Sequence, residues 1–369
     1  MAPGRLPTGA VNAITDVPGI RVGHATLIEG TGIRTGVTAV VHDELLPRGD
    51  EHGHTPQLPG TRKLAAGLSV FNGFGKMVGS TQVAELGTIE TPVLLTATLS
   101  VFRVADALLS YLRERYGDEA PGTLNPVVAE TNDGYLSDIW ARPITAGHVR
   151  MALDTAAGGP VAEGCVGAGT GTGALGFKAG IGTSSRVAGS VTLGVLVQAN
   201  FSGELTVLGA PVPATGTERE PGPADRGNSC VIVLATDAAL DSRQLERVAS
   251  RAFAGMARVG SDFSGGSGDY ALAISTVRPA SAAGRTAESE PAAAEGGPAA
   301  AKASSVTATA SAGYPVPDKD LDLLFQAAIE ATEEAILNSL FMAVTTTGFR
   351  GHVRHAVPLD EVVARLTRT

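Results

Sequence analysis

Between positions 225 and 237 the chain reads Asp225-Arg226-Gly227-Asn228-Ser229-Cys230-Val231-Ile232-Val233-Leu234-Ala235-Thr236-Asp237, so a hydroxyl residue stands where a polar, Pro/Gly-rich segment runs into an apolar one. If the Asn228–Ser229 bond is broken, Ser229 becomes an N-terminal residue that carries a nucleophilic hydroxyl and an α-amine together. An α-amine titrates at about 7.7–8.0, so near neutrality part of it can accept the hydroxyl proton and no histidine is required. The hydroxyl can also do the cutting: attack on the Asn228 carbonyl gives an ester that water hydrolyses. Gly227 and Asn228 tolerate the strained backbone this needs. On local sequence alone the same residues also read as a turn ahead of a strand.

The elements that must position such a residue are legible from periodicity. Short runs rich in Val, Ile, Leu and Thr with Gly or Pro at their edges predict strands over Gly36–Asp43, Ala66–Asn72, Pro92–Ser100, Thr192–Phe201, Cys230–Asp237 and Ala271–Val277. Several are apolar on both faces, as strands buried between layers must be. Helical spacing predicts Asp241–Val259, opened by Asp241 and Gln244 as a capping box, and Val101–Tyr116 and Asp318–Phe341. Gly209–Gly227 reads as an exposed Pro/Gly linker, and residues 279–313 as a low-complexity insertion without apolar periodicity. Strands flank both segments, which predicts one composite domain over residues 1–369.

Several segments, in order, resemble the self-processing N-terminal-serine aminopeptidases, the family of L-aminopeptidase/D-amino-acid esterase-amidases and β-peptidyl aminopeptidases. They are Ile14-Thr-Asp-Val-Pro-Gly-Ile-Arg-Val-Gly-His24, Glu130-Thr-Asn-Asp-Gly-Tyr135, Val166-Gly-Ala-Gly-Thr170, Gly176 through Arg186, Gly194-Val-Leu-Val-Gln-Ala-Asn200, Gly227 through Asp237, and Gly266-Ser-Gly-Asp-Tyr270. The resemblance implies a four-layer αββα sandwich, cut after Asn228 into 1–228 and 229–369. Ser229 is then the nucleophile and its amine the general base, with Ser267 and Asp269 as the hydrogen-bonding pair that orients it. Asn200 would donate to the oxyanion, Glu130 would hold the free ammonium of the substrate, and Tyr135 would line the pocket or also donate to the oxyanion. Without the resemblance, Ser-Gly-Asp is a turn, Asn200 ends a strand and Glu130 is a loop acid.

The implied substrates are short peptides, amides or esters, and the implied assembly is a homo-oligomer of processed heterodimers. Ser-Gly-Asp in place of Ser-Gly-Glu points towards α-amino over β-amino substrates. Two departures stand out: Leu94–Arg103 lacks the Asn and His of a Thr-Asn-Thr-His-Ser run, and Asn72-Gly-Phe-Gly-Lys76 is only close to its counterpart. Two other functions fit the architecture, an acyltransferase of the ornithine acetyltransferase type, whose nucleophile is a threonine, and an unprocessed binding or scaffold protein.

Composition narrows the rest. Net charge is −9 over 369 residues with no Lys/Arg run, which argues against nucleic acid as a partner. No apolar stretch approaches the roughly 18 residues of a spanning helix, and no secretory signal is read, so the cytoplasm is the expected compartment. Cys165 and Cys230 are too few for a disulfide framework. His52-x-His54 and His352-x-x-His355 lack zinc-site companions, and Gly171-Thr-Gly-Ala-Leu-Gly176 lacks the helix and acid of a dinucleotide fingerprint, so neither metal nor cofactor is expected. Glycine, at 47 residues, is the outlier; it lets backbone pass close to backbone or substrate.

Overall fold

The structure is a computed structural model that describes residues 3–47, 63–214, 228–277 and 316–367. Among the described residues eleven strands make the two large sheets: β1 (Ile20–Glu29), β2 (Ile33–His42), β3 (Leu64–Gly73), β4 (Met77–Val78), β5 (Thr88–Ile89), β6 (Val93–Ala97), β7 (Val127–Thr131), β8 (Ile181–Ala188), β9 (Val191–Asn200), β10 (Asn228–Thr236) and β11 (Ser267–Ser275). One sheet runs β1-β2-β6-β7-β4 and the other β8-β9-β10-β11-β3-β5. Among the described residues six α-helices accompany them: α1 (Ser80–Leu86), α2 (Val101–Tyr116), α3 (Ala146–Asp154), α4 (Ser242–Arg258), α5 (Asp322–Phe341) and α6 (Leu359–Leu366).

Three apolar clusters define the layers. Val22, Val40, Leu95, Val127 and Ala129 of the first sheet meet Leu196, Val231, Val233, Leu272 and Ile274 of the second in a central core. On the outer face of the first sheet, Val37, Ala39 and Leu94 pack under Val104, Leu108 and Leu112 of α2 and Val149 of α3. On the outer face of the second, Val195, Val197, Ile232 and Leu234 pack under Leu245, Val248 and Ala252 of α4 and Ala327, Ala331 and Ala335 of α5. Sheet on sheet with helices outside both is the expected αββα sandwich, and residues on both sides of position 228 share its central core.

Each sheet contains one parallel pair, and a parallel pair needs a crossover, supplied in both cases by a helix. The pair β6 and β7 is linked through α2, and β10 and β11 through α4. The helix α4 opens as its sequence requires: the Asp241 carboxylate accepts from the Gln244 backbone N–H at 2.7 Å and the Gln244 side chain returns to the Asp241 N–H at 3.2 Å.

Three expectations are corrected at element ends. The run from Pro92 is a strand only to Ala97; Thr98–Ser100 form a 3-10 turn that leads into α2. The run from Asp318 begins as a 3-10 turn, with helix starting at Asp322; of its apolar residues Ile336 and Leu340 are buried, while Phe325 and Ile329 are half-buried. The predicted linker is not wholly exposed: Ala210–Pro211 pairs with Thr206–Val207, and Ala210 and Val212 are buried. Residues 215–227 of that linker and the 279–313 insertion lie outside the described residues. Among the described residues no helix is long and apolar enough to cross a membrane.

Candidate active site

Ser229 sits one residue inside β10, which lies between two partners that each deliver a predicted group. On the antiparallel side the register sets Asn200, the last residue of β9, opposite Ser229. On the parallel side it sets Gly268 opposite Ser229, with Ser267 opposite Asn228 and Asp269 opposite Cys230. Ser229, Asn200, Ser267 and Asp269 are therefore neighbours at one end of the second sheet, and all four are buried. Their separation in sequence conceals this; strand pairing alone produces it.

Two side chains donate to the Asp269 carboxylate, beside a hydrogen bond from the Cys230 backbone. Ser267 Oγ donates to Oδ1 at 2.6 Å, and Asn72 Nδ2 of β3 donates to Oδ2 at 2.8 Å. Burial pushes the Asp269 carboxyl above the ordinary range, and the hydrogen bonds from Ser267 and Asn72 oppose that rise. Asn72 also donates to the Phe263 carbonyl at 3.1 Å, tying β3 to the loop before β11. A β-bulge between Asp269 and Tyr270 brings Asn72 opposite Asp269. Asn200 is fixed by its amide oxygen, which accepts the Gly173 N–H at 3.2 Å.

Glu130 comes from the first sheet, near the end of β7. Its Oε1 accepts the Lys76 backbone N–H at 2.9 Å, and its Oε2 accepts the Thr98 hydroxyl. The carboxylate is almost wholly buried, and burial raises its pKa despite those hydrogen bonds and the nearby Lys76 charge.

The two halves of the site meet where the chain crosses from β3 in the second sheet to β4 in the first. In that crossing, Phe74 donates its N–H to the Ser267 carbonyl at 3.1 Å. Gly75 lies so close to Gly268 that a Cβ on Gly268 would stand 2.5 Å from Gly75 Cα and 3.3 Å from Ser229 Oγ. A Cβ on Gly75 would stand 3.3 Å from Glu130 Oε1. A single contact of two glycines thus brings the Glu130 carboxylate and the Ser229 hydroxyl to one place.

Tyr135 joins less directly. Its ring stacks on His352 at 4.4 Å between centroids, and the Arg354 guanidinium lies 4.3 Å from its centroid on a cation–π contact. A Cβ on Gly173 would be 3.3 Å from Arg354 Nε, and Gly173 holds Asn200, so Tyr135 reaches the site through Arg354. The sequence reading missed Asn72, Thr98 and Arg354. Asn72 and Thr98 stand in the two segments singled out as departures from the family pattern, but nothing in either sequence states which strand lies opposite. Nearby, Asp133 and Lys178 are fully buried. Burial lifts the Asp133 carboxyl to about 7 and lowers the Lys178 amine to about 8. Among the described residues no cluster of His, Cys, Asp and Glu has the makings of a metal site.

A hydroxyl residue near the start of a central strand, an amide beside it and an αββα body define a serine-type hydrolase of the Ntn fold. Solved relatives agree. The L-aminopeptidase D-Ala-esterase/amidase of Ochrobactrum anthropi, described as a prototype of the serine aminopeptidases and a variant of the Ntn hydrolase fold, superposes with a TM-score of 0.80 at 32% identity, covering 100% of this chain and 96% of its own. A Burkholderia sp. beta-aminopeptidase superposes at 0.79 with 38% identity, covering 100% and 97%. The beta-peptidyl aminopeptidase of Sphingosinicella microcystinivorans is 40% identical over 391 residues, 98% of this chain and 89% of that protein. The profile of peptidase family S58 matches residues 12–354, and the chain belongs to that family. It is an aminopeptidase, as the sequence resemblance implied.

Proposed function

We propose that the chain cuts itself between Asn228 and Ser229 and then releases N-terminal residues from short peptides, amides or esters through an acyl-enzyme on Ser229. The observation that carries the reading is the strand register around Ser229, which puts Asn200 opposite it on one side and the Ser267–Asp269–Asn72 chain of hydrogen bonds on the other.

In the first half-reaction the Ser229 α-amine takes the hydroxyl proton as Oγ attacks the scissile carbonyl. The carbonyl oxygen becomes an oxyanion, to which Asn200 donates; one such donor contributes about 2.7–4 kcal/mol in the transition state. The amine passes its proton to the leaving nitrogen or oxygen as the bond breaks, leaving an ester on Ser229. Water then attacks that ester with the same amine as base. Ser267, which donates to Asp269, would mediate the contact with the amine, so that the carboxylate orients the site without pairing directly with the amine and raising its pKa. Glu130 takes the substrate ammonium, which makes an exopeptidase rather than an endopeptidase. Tyr135, held between His352 and Arg354, lines the pocket or adds a second oxyanion donor.

The pieces 1–228 and 229–369 would stay together, since both contribute to the central core. Assembly of several such heterodimers and a cytoplasmic site of action belong to the same reading. On substrate type the relatives pull against the expectation from Ser-Gly-Asp: two relatives, at 40% and 38% identity, are named for β-peptidyl substrates. Asn72 bears on this, because it caps the shorter Asp269 carboxylate from the side opposite Ser267.

A denaturing gel tests the proposal. Wild type gives two bands and Ser229→Ala a single full-length one without peptidase activity. A wild type that stays whole in the gel while turning over aminoacyl p-nitroanilides refutes self-processing, and a whole, inactive one favours a scaffold. Adding an acceptor amine to the processed enzyme separates hydrolysis from acyl transfer by its products.

A further inference from the structure

We infer that Lys76 is a specificity-determining residue of this site: its ammonium stands beside Glu130 where the amino terminus of a substrate must go, so that binding exchanges one cation for another. The inference rests on the ammonium-holding role proposed for Glu130.

The crossing from β3 to β4 delivers two different groups of Lys76 to the same carboxylate oxygen. The backbone N–H lies 2.9 Å from Glu130 Oε1, and the side-chain Nζ lies 3.9 Å from it. The first contact is built into the fold. The second is loose, at the outer limit of an ion pair, and the Lys76 side chain is 40% exposed against 1% for that of Glu130. Nζ donates to the Phe74 carbonyl at 3.3 Å and sits 5.5 Å from the Phe74 ring centroid, so the lysine folds back over its own loop. Phe74 is itself exposed, at the surface above the glycine contact that faces Ser229.

A buried carboxylate is costly to keep charged without a counter-ion. Lys76 supplies one here; the Thr98 hydroxyl and the Lys76 N–H supply hydrogen bonds. Among the described residues the other ionisable side chains that interact with Glu130 are the Asp133 carboxyl and the Tyr270 phenol, neither of them a cation; processing would add the Ser229 α-amine on the nucleophile's side. An arriving primary ammonium that approaches Glu130 more closely than 3.9 Å replaces Lys76, whose flexible stem swings into water. A substrate without an amine leaves the lysine in place and gains nothing from Glu130. Lys76 thus adds a counter-charge to the hydrogen bonds that hold the carboxylate in the empty enzyme, and sets a threshold that only compounds with a well-placed primary ammonium pass.

The test is steady-state kinetics on processed Lys76→Met, Lys76→Arg, Glu130→Gln and the double variant Lys76→Met/Glu130→Gln. The substrate is alanyl p-nitroanilide or its β-homologue, whichever is turned over, with propionyl p-nitroanilide as an amine-free inhibitor. An exposed ion pair is worth about 0.2–1 kcal/mol, so Lys76→Met should lower KM for the free-amine substrate by up to about fivefold on the alkaline side of neutrality. The kcat and the inhibition constant of the amine-free compound should not move, Lys76→Arg should resemble wild type, and the effect of Lys76→Met should vanish in the Glu130→Gln background. Towards acid the gain should shrink, because Glu130 without Lys76 holds its proton more tightly.

An unchanged or raised KM in Lys76→Met, or an equal change for both compounds, overturns the inference. If that happens while Glu130→Gln abolishes the preference for free amines, the role of Glu130 stands and only that of Lys76 falls. If Glu130→Gln leaves the preference intact, both fall. Protein that appears as two bands and melts like wild type shows that each variant is folded.

Discussion

The strand register sets the Asn200 amide beside Ser229 on one side and Gly268, flanked by Ser267 and Asp269, on the other. In the proposed mechanism labour is divided: Asn200 would act on the developing charge, while Asp269, Asn72 and Ser267 would act on geometry. Replacing Asn200 with Ala should therefore lower kcat of the processed enzyme by about 10²–10³ with little change in KM, as expected for a group that binds only the transition state. A loss confined to KM would remove Asn200 from that role. At this scale the residues with unusual chemistry were legible, because Ser229, Ser267, Asp269, Asn200 and Glu130 each stand in a recognisable segment. Asn72 and Thr98 were not legible as partners. Their side chains are ordinary, and their significance is a contact across strands that local sequence does not encode.

At the level of elements, the site depends on how closely two backbones approach. Gly268 of β11 and Gly75 of the β3–β4 crossing touch at a distance no side chain permits, and this contact draws Glu130 towards Ser229. Gly268→Ala should destabilise the protein by about 1–3 kcal/mol, since the added methyl meets the Gly75 N and Cα rather than a mobile side chain. Gly265→Ala, with nothing near its Cβ, should stay within about 0.5 kcal/mol of wild type. Urea denaturation of the two variants checks both, and equal stability would mean that the crossing loop yields freely. Helices were read well where an amphipathic stripe and a cap coincide: α2 spans the predicted Val101–Tyr116, and α4 starts at its Asp241 cap. Periodicity served less well at the start of α5, where Phe325 and Ile329 are only half-buried; further along, Gly182 of β8 lets the helix backbone approach, with the Ala335 carbonyl 1.9 Å from where a Cβ would stand.

Across the whole molecule, charges buried between layers hold the fold together and make it sensitive to acid. Arg186 of β8 is fully buried, 2.6 Å from Glu334 and 3.5 Å from Glu330 of α5, and it donates to the Pro3 carbonyl at 2.6 Å, so it joins the N-terminal segment to a helix beyond position 228. His24 of β1 is half-buried against Thr38 of β2, with Nδ1 3.0 Å from Oγ1, and the desolvation of its ring lowers its pKa from 6.5 to about 4. As pH falls below 6.5 the unfolded chain takes up this proton first, so the stabilisation is complete above 6.5 and is lost towards 4, by about 3 kcal/mol at most. The stability advantage of wild type over His24→Asn should shrink across that interval in urea titrations; a constant gap would mean that His24 charges freely in the native state. What the amino-acid sequence by itself determined is the set of apolar periods, caps and turn residues, and from these the strands, the helices and the point where a hydroxyl meets a buried strand. Those are local properties, fixed by neighbours along the chain. The pairing of strands far apart in sequence, the bulge that turns Asn72 onto Asp269 and the glycine contact that joins the two sheets were decided only by the tertiary structure, because each depends on packing between segments that no local period relates.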